Sequence, residues 1–237
     1  MPSCAIMQPT YLPWSGYFHL ANKVDTFVFL DDVQFERRSW QSRNNILSNG
    51  QAHLLTVPVQ QAPQQTLLRD ILLMPDTLWQ KKHQRAIQVA YPAIWRDPQL
   101  REPLIEVLER PHLYLSELNI NLIKLIFSWL DIKCMTLRAS DLGCGGSRSQ
   151  HLAEICQAVQ ADTYYSPIGS RGYLVDDQFE SLSGLKLHFS EFIPSSYAQG
   201  KSTGFVSHLS VIDVIGHGGI ELARAYVKKG THDANQN

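Results

Sequence analysis

Two short apolar runs separated by one amphipathic segment limit what this chain can fold into. The runs are Cys4-Ala5-Ile6-Met7-Gln8 and Thr26-Phe27-Val28-Phe29-Leu30, and between them Ser15 is placed to cap a short helix with Tyr17, Leu20, Ala21 and Val24 on one face. Runs this continuous belong to strands buried on both faces, which is the signature of a parallel sheet. Parallel neighbours need a crossover, and the helix supplies it. Each run is followed at once by polar residues: Pro9 to Tyr17 after the first, Asp31 to Asn45 after the second. In an open α/β sheet ligands bind beyond the carboxyl ends of the strands, so these two segments mark where a ligand site is expected.

The rest of the chain continues the alternation. Strands are expected at residues 53–59, 67–73, 132–137, 163–166 and 185–189, and helices at 76–90, 102–109, 116–130, 209–215 and 220–228. Residues 116–130 are apolar on nearly every face, which predicts a buried helix. Ser147-Arg148-Ser149-Gln150 has the pattern of a capping box, opening a helix with Leu152, Ile155, Cys156 and Val159 on one side. The expected fold is α/β, a Rossmann-like, mostly parallel sheet built from both ends of the chain. A single domain over residues 1–230 is expected, with 75–130 inserted as a packed helical subdomain and 231–237 as a disordered tail.

A chain of 237 residues with 44% hydrophobic residues can bury roughly 70–75% of its unfolded surface and needs no disulfide or metal staple. The formal net charge of −1 argues against a face for duplex nucleic acid, which needs a basic stripe. No basic region followed by an apolar core opens the chain, and no apolar stretch reaches the ~18 residues of a membrane span, so a cytoplasmic protein is expected. Cys4, Cys134, Cys144 and Cys156 form no C-x-x-C pair and no zinc spacing, and the nine histidines make no metal constellation. Reduced core thiols are expected, with Cys144 in its glycine loop as the one thiol placed for reactivity.

The candidate binding residues lie on the strand-end loops. Gln8 offers an amide where the first strand ends, and Tyr11, Trp14 and Tyr17 have the rings for a stacking shelf. Arg37, Arg38 and Arg43 carry the planar fork that suits phosphate, flanked by Gln34, Trp40, Gln41, Asn44 and Asn45. Ser166, Ser170, Arg171 and Tyr173, on the loop of a later strand, would close the opposite wall. Asp31 and Asp32 are placed to act as general base, or to hold a Mg²⁺ carried by nucleotide phosphates. Asp213, in the middle of an apolar helix, reads either as a buried hydrogen-bond anchor or as a site carboxylate. His217, among glycines, reads as part of a helix C-terminal turn.

Gln8 to Phe18, Phe29 to Phe35 and Arg38 to Asn44 together resemble the WbqC-like family of bacteria. The likeness continues through Leu55 to Val59, Ala161 to Ser166, Arg171 to Leu174 and Leu209 to Asp213. Such proteins are associated with surface-polysaccharide (O-antigen) gene clusters. The resemblance permits an enzyme that transfers an acyl or aminoacyl group to the amino group of a nucleotide-activated sugar. Asp32, His208 and Asn44 are then the candidates for base and oxyanion donors. Its partners would be a nucleotide sugar and an acyl or aminoacyl donor, with a homodimer allowed for. Trp14-Ser15-Gly16-Tyr17 also resembles, more faintly, the H-x-G-H loop of pantothenate synthetase and other HIGH-superfamily nucleotidyltransferases. Gly16 is kept, for close approach of a phosphate, and both histidines are absent. ATP-dependent nucleotidyl transfer, or non-catalytic binding of a nucleotide or sugar, are the alternatives.

Overall fold

A computed structural model describes residues 1–75, 78–200 and 202–229; the expected tail lies outside them. Its strands are β1 (Ser3–Met7), β2 (Thr26–Phe29), β3 (Arg43–Ser48), β4 (Gln51–Thr56), β5 (Met135–Arg138), β6 (Thr163–Pro167) and β7 (Lys186–Ser190). Its helices are α1 (Ser15–Ala21), α2 (Trp79–Ala90), α3 (Pro92–Arg96), α4 (Pro98–Glu109), α5 (Leu115–Leu130), α6 (Ser149–Ala158), α7 (Arg171–Asp176), α8 (Phe179–Ser183) and α9 (Val211–Lys228). Five strands form one parallel sheet in the order β5-β2-β1-β6-β7. This is the Rossmann-like α/β architecture.

The period of two along a strand explains why β1 and β2 are apolar throughout. Ala5, Phe27 and Phe29 face one core, shared with α1, α5 and α9; Cys4, Ile6 and Val28 face the other, shared with Leu152, Ile155 and Cys156 of α6. Helix α5 is apolar all round because it runs through the first core, where Leu118, Leu122, Ile123 and Ile126 are fully covered. Among the described residues no helix is long and apolar enough to cross a membrane.

Between β2 and β5 the structure departs from the expectation in two places. Arg43, Asn44 and Asn45 are strand, the start of an antiparallel hairpin of β3 and β4 that stands apart from the main sheet. Residues 67–73 are not a strand. Leu67 bridges to Gln34, Leu72 to Tyr114 and Leu73 to Val59, so three partners take one residue each and no ladder forms; Leu68–Asp70 is a 3₁₀ turn.

Two helix starts also differ. Trp14, not Ser15, holds the cap position of α1, and neither α1 nor α6 has a side-chain cap. At α6 the Ser149 hydroxyl donates instead to Asp177 at 2.6 Å, and Arg148 occupies the cap position with φ 50°. The two C-terminal helical segments join into α9, broken at Gly219, whose φ of 77° only glycine adopts freely.

Candidate functional site

The strand order reverses between β1 and β6: the chain leaves β1 toward β2 on one side and β6 toward β7 on the other. Side chains and helix starts part at such a switch point and leave a crevice. Here a cavity of about 660 Å³ opens there. Met7 and Gln8 contribute from the end of β1, Leu30 and Val33 from the end of β2, and Ser166, Ser170 and Tyr173 from beyond β6. Arg148, His151 and Leu152 at the start of α6 form the remaining wall, with Glu36 at the rim.

His151 is held from both sides. Its Nδ1 lies 2.6 Å from the Gly145 carbonyl and its Nε2 lies 3.2 Å from Oδ1 of Asp32. The carbonyl accepts only, so it fixes a proton on Nδ1 and leaves Nε2 as the nitrogen able to exchange one with Asp32 or a ligand. Across the cavity the Ser166 hydroxyl is 2.6 Å from that of Ser170 and 3.3 Å from that of Tyr164. Burial pushes the Tyr173 hydroxyl above its ordinary range, so it stands there as a neutral donor.

The adjacent carboxylates have different fates. Asp31 is fully covered; its Oδ1 accepts from the Ser140 amide at 3.0 Å, and its Oδ2 from the Ser140 hydroxyl at 2.9 Å and from Arg138 Nε at 2.7 Å. Asp32 turns the other way, toward His151. With both Asp31 oxygens engaged, the two carboxylates do not make a shared Mg²⁺ ligand set. Among the described residues no three His, Cys, Asp or Glu side chains gather for a metal.

The other residues singled out in the sequence are dispersed. Gln8 reaches the cavity with its Oε1 held by Gln41 Nε2 at 2.9 Å. Tyr11 and Tyr17 are core residues, Tyr11 bonded to His83 at 2.8 Å, so they do not form a shelf. Trp14 stacks on His208 at 4.9 Å, and neither borders the cavity. The room above Gly16 is filled by the Trp14 indole, which a Cβ there would meet at 2.3 Å, so Gly16 does not offer backbone to a phosphate. Asn44 donates to the carbonyls of Tyr11 at 3.1 Å and Leu12 at 2.7 Å, holding the turn after β1 from behind. Asn119 of α5 does the same for Pro9 and Gln41.

Gln34 borders an adjoining hollow, Trp40 is exposed, and Arg171 lies over the Phe189 ring in a separate hollow beside α8. Arg37, Arg38 and Arg43 border a third cavity next to the hairpin. Cys144 has its thiol pushed up by burial and by the carboxylates of Glu154 and Asp32, the reverse of thiolate activation. Cys4 and Cys156 are buried free thiols with sulfurs 3.4 Å apart.

Asp213 lies outside the cavity as a buried anchor. It accepts from Tyr91 at 2.8 Å, Tyr197 at 2.5 Å and Gln199 at 2.8 Å, with His217 at 3.2 Å. Burial pushes its pKa up, but the bonds from His217 and the other donors outweigh that and hold it below the usual carboxylate value; the same contact raises His217. A raised histidine stabilises fully below its unfolded value of 6.5 and loses that contribution as pH rises through its folded value. The lowered carboxylate contributes above its ordinary value and loses this only in acid. Thermal melts followed upward from pH 6 should therefore show wild type losing more stability than His217→Asn. Parallel slopes for the two proteins would show that the pair is not linked to folding.

His151, Arg148 and Glu36 escaped notice in the sequence. The capping-box pattern absorbed the residues just before His151, and nothing local ties a histidine at position 151 to an aspartate at position 32.

The model of the WbqC-like protein family matches residues 8–225 of this chain. The uncharacterized protein Rv1507c of Mycobacterium tuberculosis (strain ATCC 25618 / H37Rv) is 32% identical over 225 residues, covering 93% of this chain and 96% of its own. No solved structure matches.

Proposed function

The chain belongs to the WbqC-like protein family, and from that premise we propose that it transfers an acyl or aminoacyl group to the amino group of a nucleotide-activated sugar bound in the switch-point cavity. The observation that carries this reading is the pairing of Asp32 with His151, which lines a cavity whose other walls offer hydroxyls, an amide and the guanidinium of Arg148. Its volume of about 660 Å³ suits a ligand of nucleotide size. The substrate class comes from the family resemblance, the chemistry from the pair.

The step is an amide-forming acyl transfer. The amine nitrogen attacks the acyl carbonyl, a C–N bond forms, and the bond from acyl carbon to donor breaks. The His151–Asp32 pair takes the proton lost by the amine, shared between Nε2 and the carboxylate, and can return it to the departing donor group. Asp32 stabilises the imidazolium that exists in between. Arg148 lines the cavity with its Nη2 3.6 Å from Oδ1 of Asp177, so its charge is shared with that carboxylate. Ser166, Ser170 and Tyr173 supply hydroxyls for the sugar.

Purified protein incubated with nucleotide-linked amino sugars and a panel of acyl and aminoacyl donors should give a product heavier by the acyl group. No new mass in any combination overturns transfer. Thermal stabilisation by the nucleotide sugar without product, about 2.7 kcal/mol at a hundredfold excess over Kd, would identify a binding module instead.

A further inference from the structure

Arg37, Arg38 and Arg43 border one cavity of about 290 Å³ between the segment after β2 and the loop after β4. None of the three has a carboxylate within ion-pair distance among the described residues. Two guanidinium groups are oriented by backbone: Arg37 Nη2 donates to the Ala62 carbonyl at 2.6 Å, and Arg43 Nη2 donates to the Arg38 carbonyl. Arg38 itself sits at φ 60°, a left-handed conformation that a long side chain rarely takes without cause. Among the described residues, Arg37 and Arg43 each spend one side-chain nitrogen on a backbone carbonyl, and most of their N–H donors stay unused. Phe35, Val57, Pro58 and Val59 make an apolar wall that strengthens the field of the three cations.

We propose that this cavity binds the diphosphate group of a second substrate, the donor in the transfer described above. Three forked cations with no counter-ion repel one another, and a diphosphate removes that repulsion while filling several forks at once; a single carboxylate fills one. The cavity shares Phe35 and Arg37 with a neighbouring hollow, which in turn shares Glu36 with the switch-point cavity. A donor anchored by its diphosphate at the arginines can therefore extend along residues 34–37 toward His151. The donor's identity rests on the reading of the switch-point cavity; the anion site does not.

Titration calorimetry with inorganic pyrophosphate at ~150 mM salt tests the site on the full chain. Wild type should bind one equivalent, and Arg37→Gln and Arg38→Gln should each weaken binding tenfold or more. Arg85→Gln, on α2 and outside both cavities, should bind pyrophosphate as wild type does. No binding by wild type, unchanged affinity in both Arg37→Gln and Arg38→Gln, or loss in Arg85→Gln would each overturn the proposal. Arginine-dependent binding with no product in the transfer assay would leave the anion site standing and remove the transfer reading.

Discussion

Asp32→Asn should lower the rate of acyl transfer by about 10²–10⁴-fold, the usual contribution of a positioned proton-transfer group. The loss should fall on kcat, because asparagine keeps the shape and can still contact His151 at Nε2, while it cannot stabilise the imidazolium. His151→Asn should match it, and the double variant should lose little more, since the two act as one unit. Stability is a separate readout. Among the described residues the Asp32 side chain bonds to His151 alone, so the variant's melting temperature should stay within a few degrees of wild type. Product formation measured by mass at saturating substrates decides the matter: rates within twofold of wild type for both variants would remove the pair from the chemistry.

The positions of the sheet strands were legible because their signal is local. A parallel strand covered on both faces has to be apolar at each residue, and Ala5, Ile6, Phe27 and Val28 are all under a tenth exposed. Burial of α5 was legible for the same reason. The expected strand at 53–59 overlaps β4, but its hairpin partner β3 was not legible, because it carries its polar residues for a non-local purpose: Asn44 is buried and holds the carbonyls of Tyr11 and Leu12. Residues 67–73 failed in the opposite sense, being apolar enough for a strand but distributed over three partners.

The site divides along the same line. That ligands should meet at the ends of β1, β2 and β6 follows from topology, and Gln8, Ser166, Ser170 and Tyr173 do meet there. Which of two neighbouring carboxylates reaches His151 depends on Arg138, Ser140 and His151, each more than a hundred residues away. No window of sequence holds that information.

Asp31 carries the largest expected effect on stability. Its carboxylate is fully buried, and four contacts depend on it: the Ser140 amide, the Ser140 hydroxyl, and Nε and Nη2 of Arg138, both at 2.7 Å. Asp31→Ala leaves the Arg138 guanidinium and the Ser140 amide without the carboxylate that accepts from them. Breaking a buried pair by removing one partner costs about 3–5 kcal/mol, and Arg138, a third exposed, can turn partly to water, which favours the lower end. The melting temperature should fall on the order of 10 °C. Arg138→Met removes the other partner and strands the carboxylate, which has no route to solvent, so its loss should be at least as large. The double variant, with both charges gone, should be more stable than either single one. Additive losses in that cycle, measured by chemical denaturation, would show that the two charges do not depend on each other and that Asp31 is kept for some reason other than holding the strand ends together.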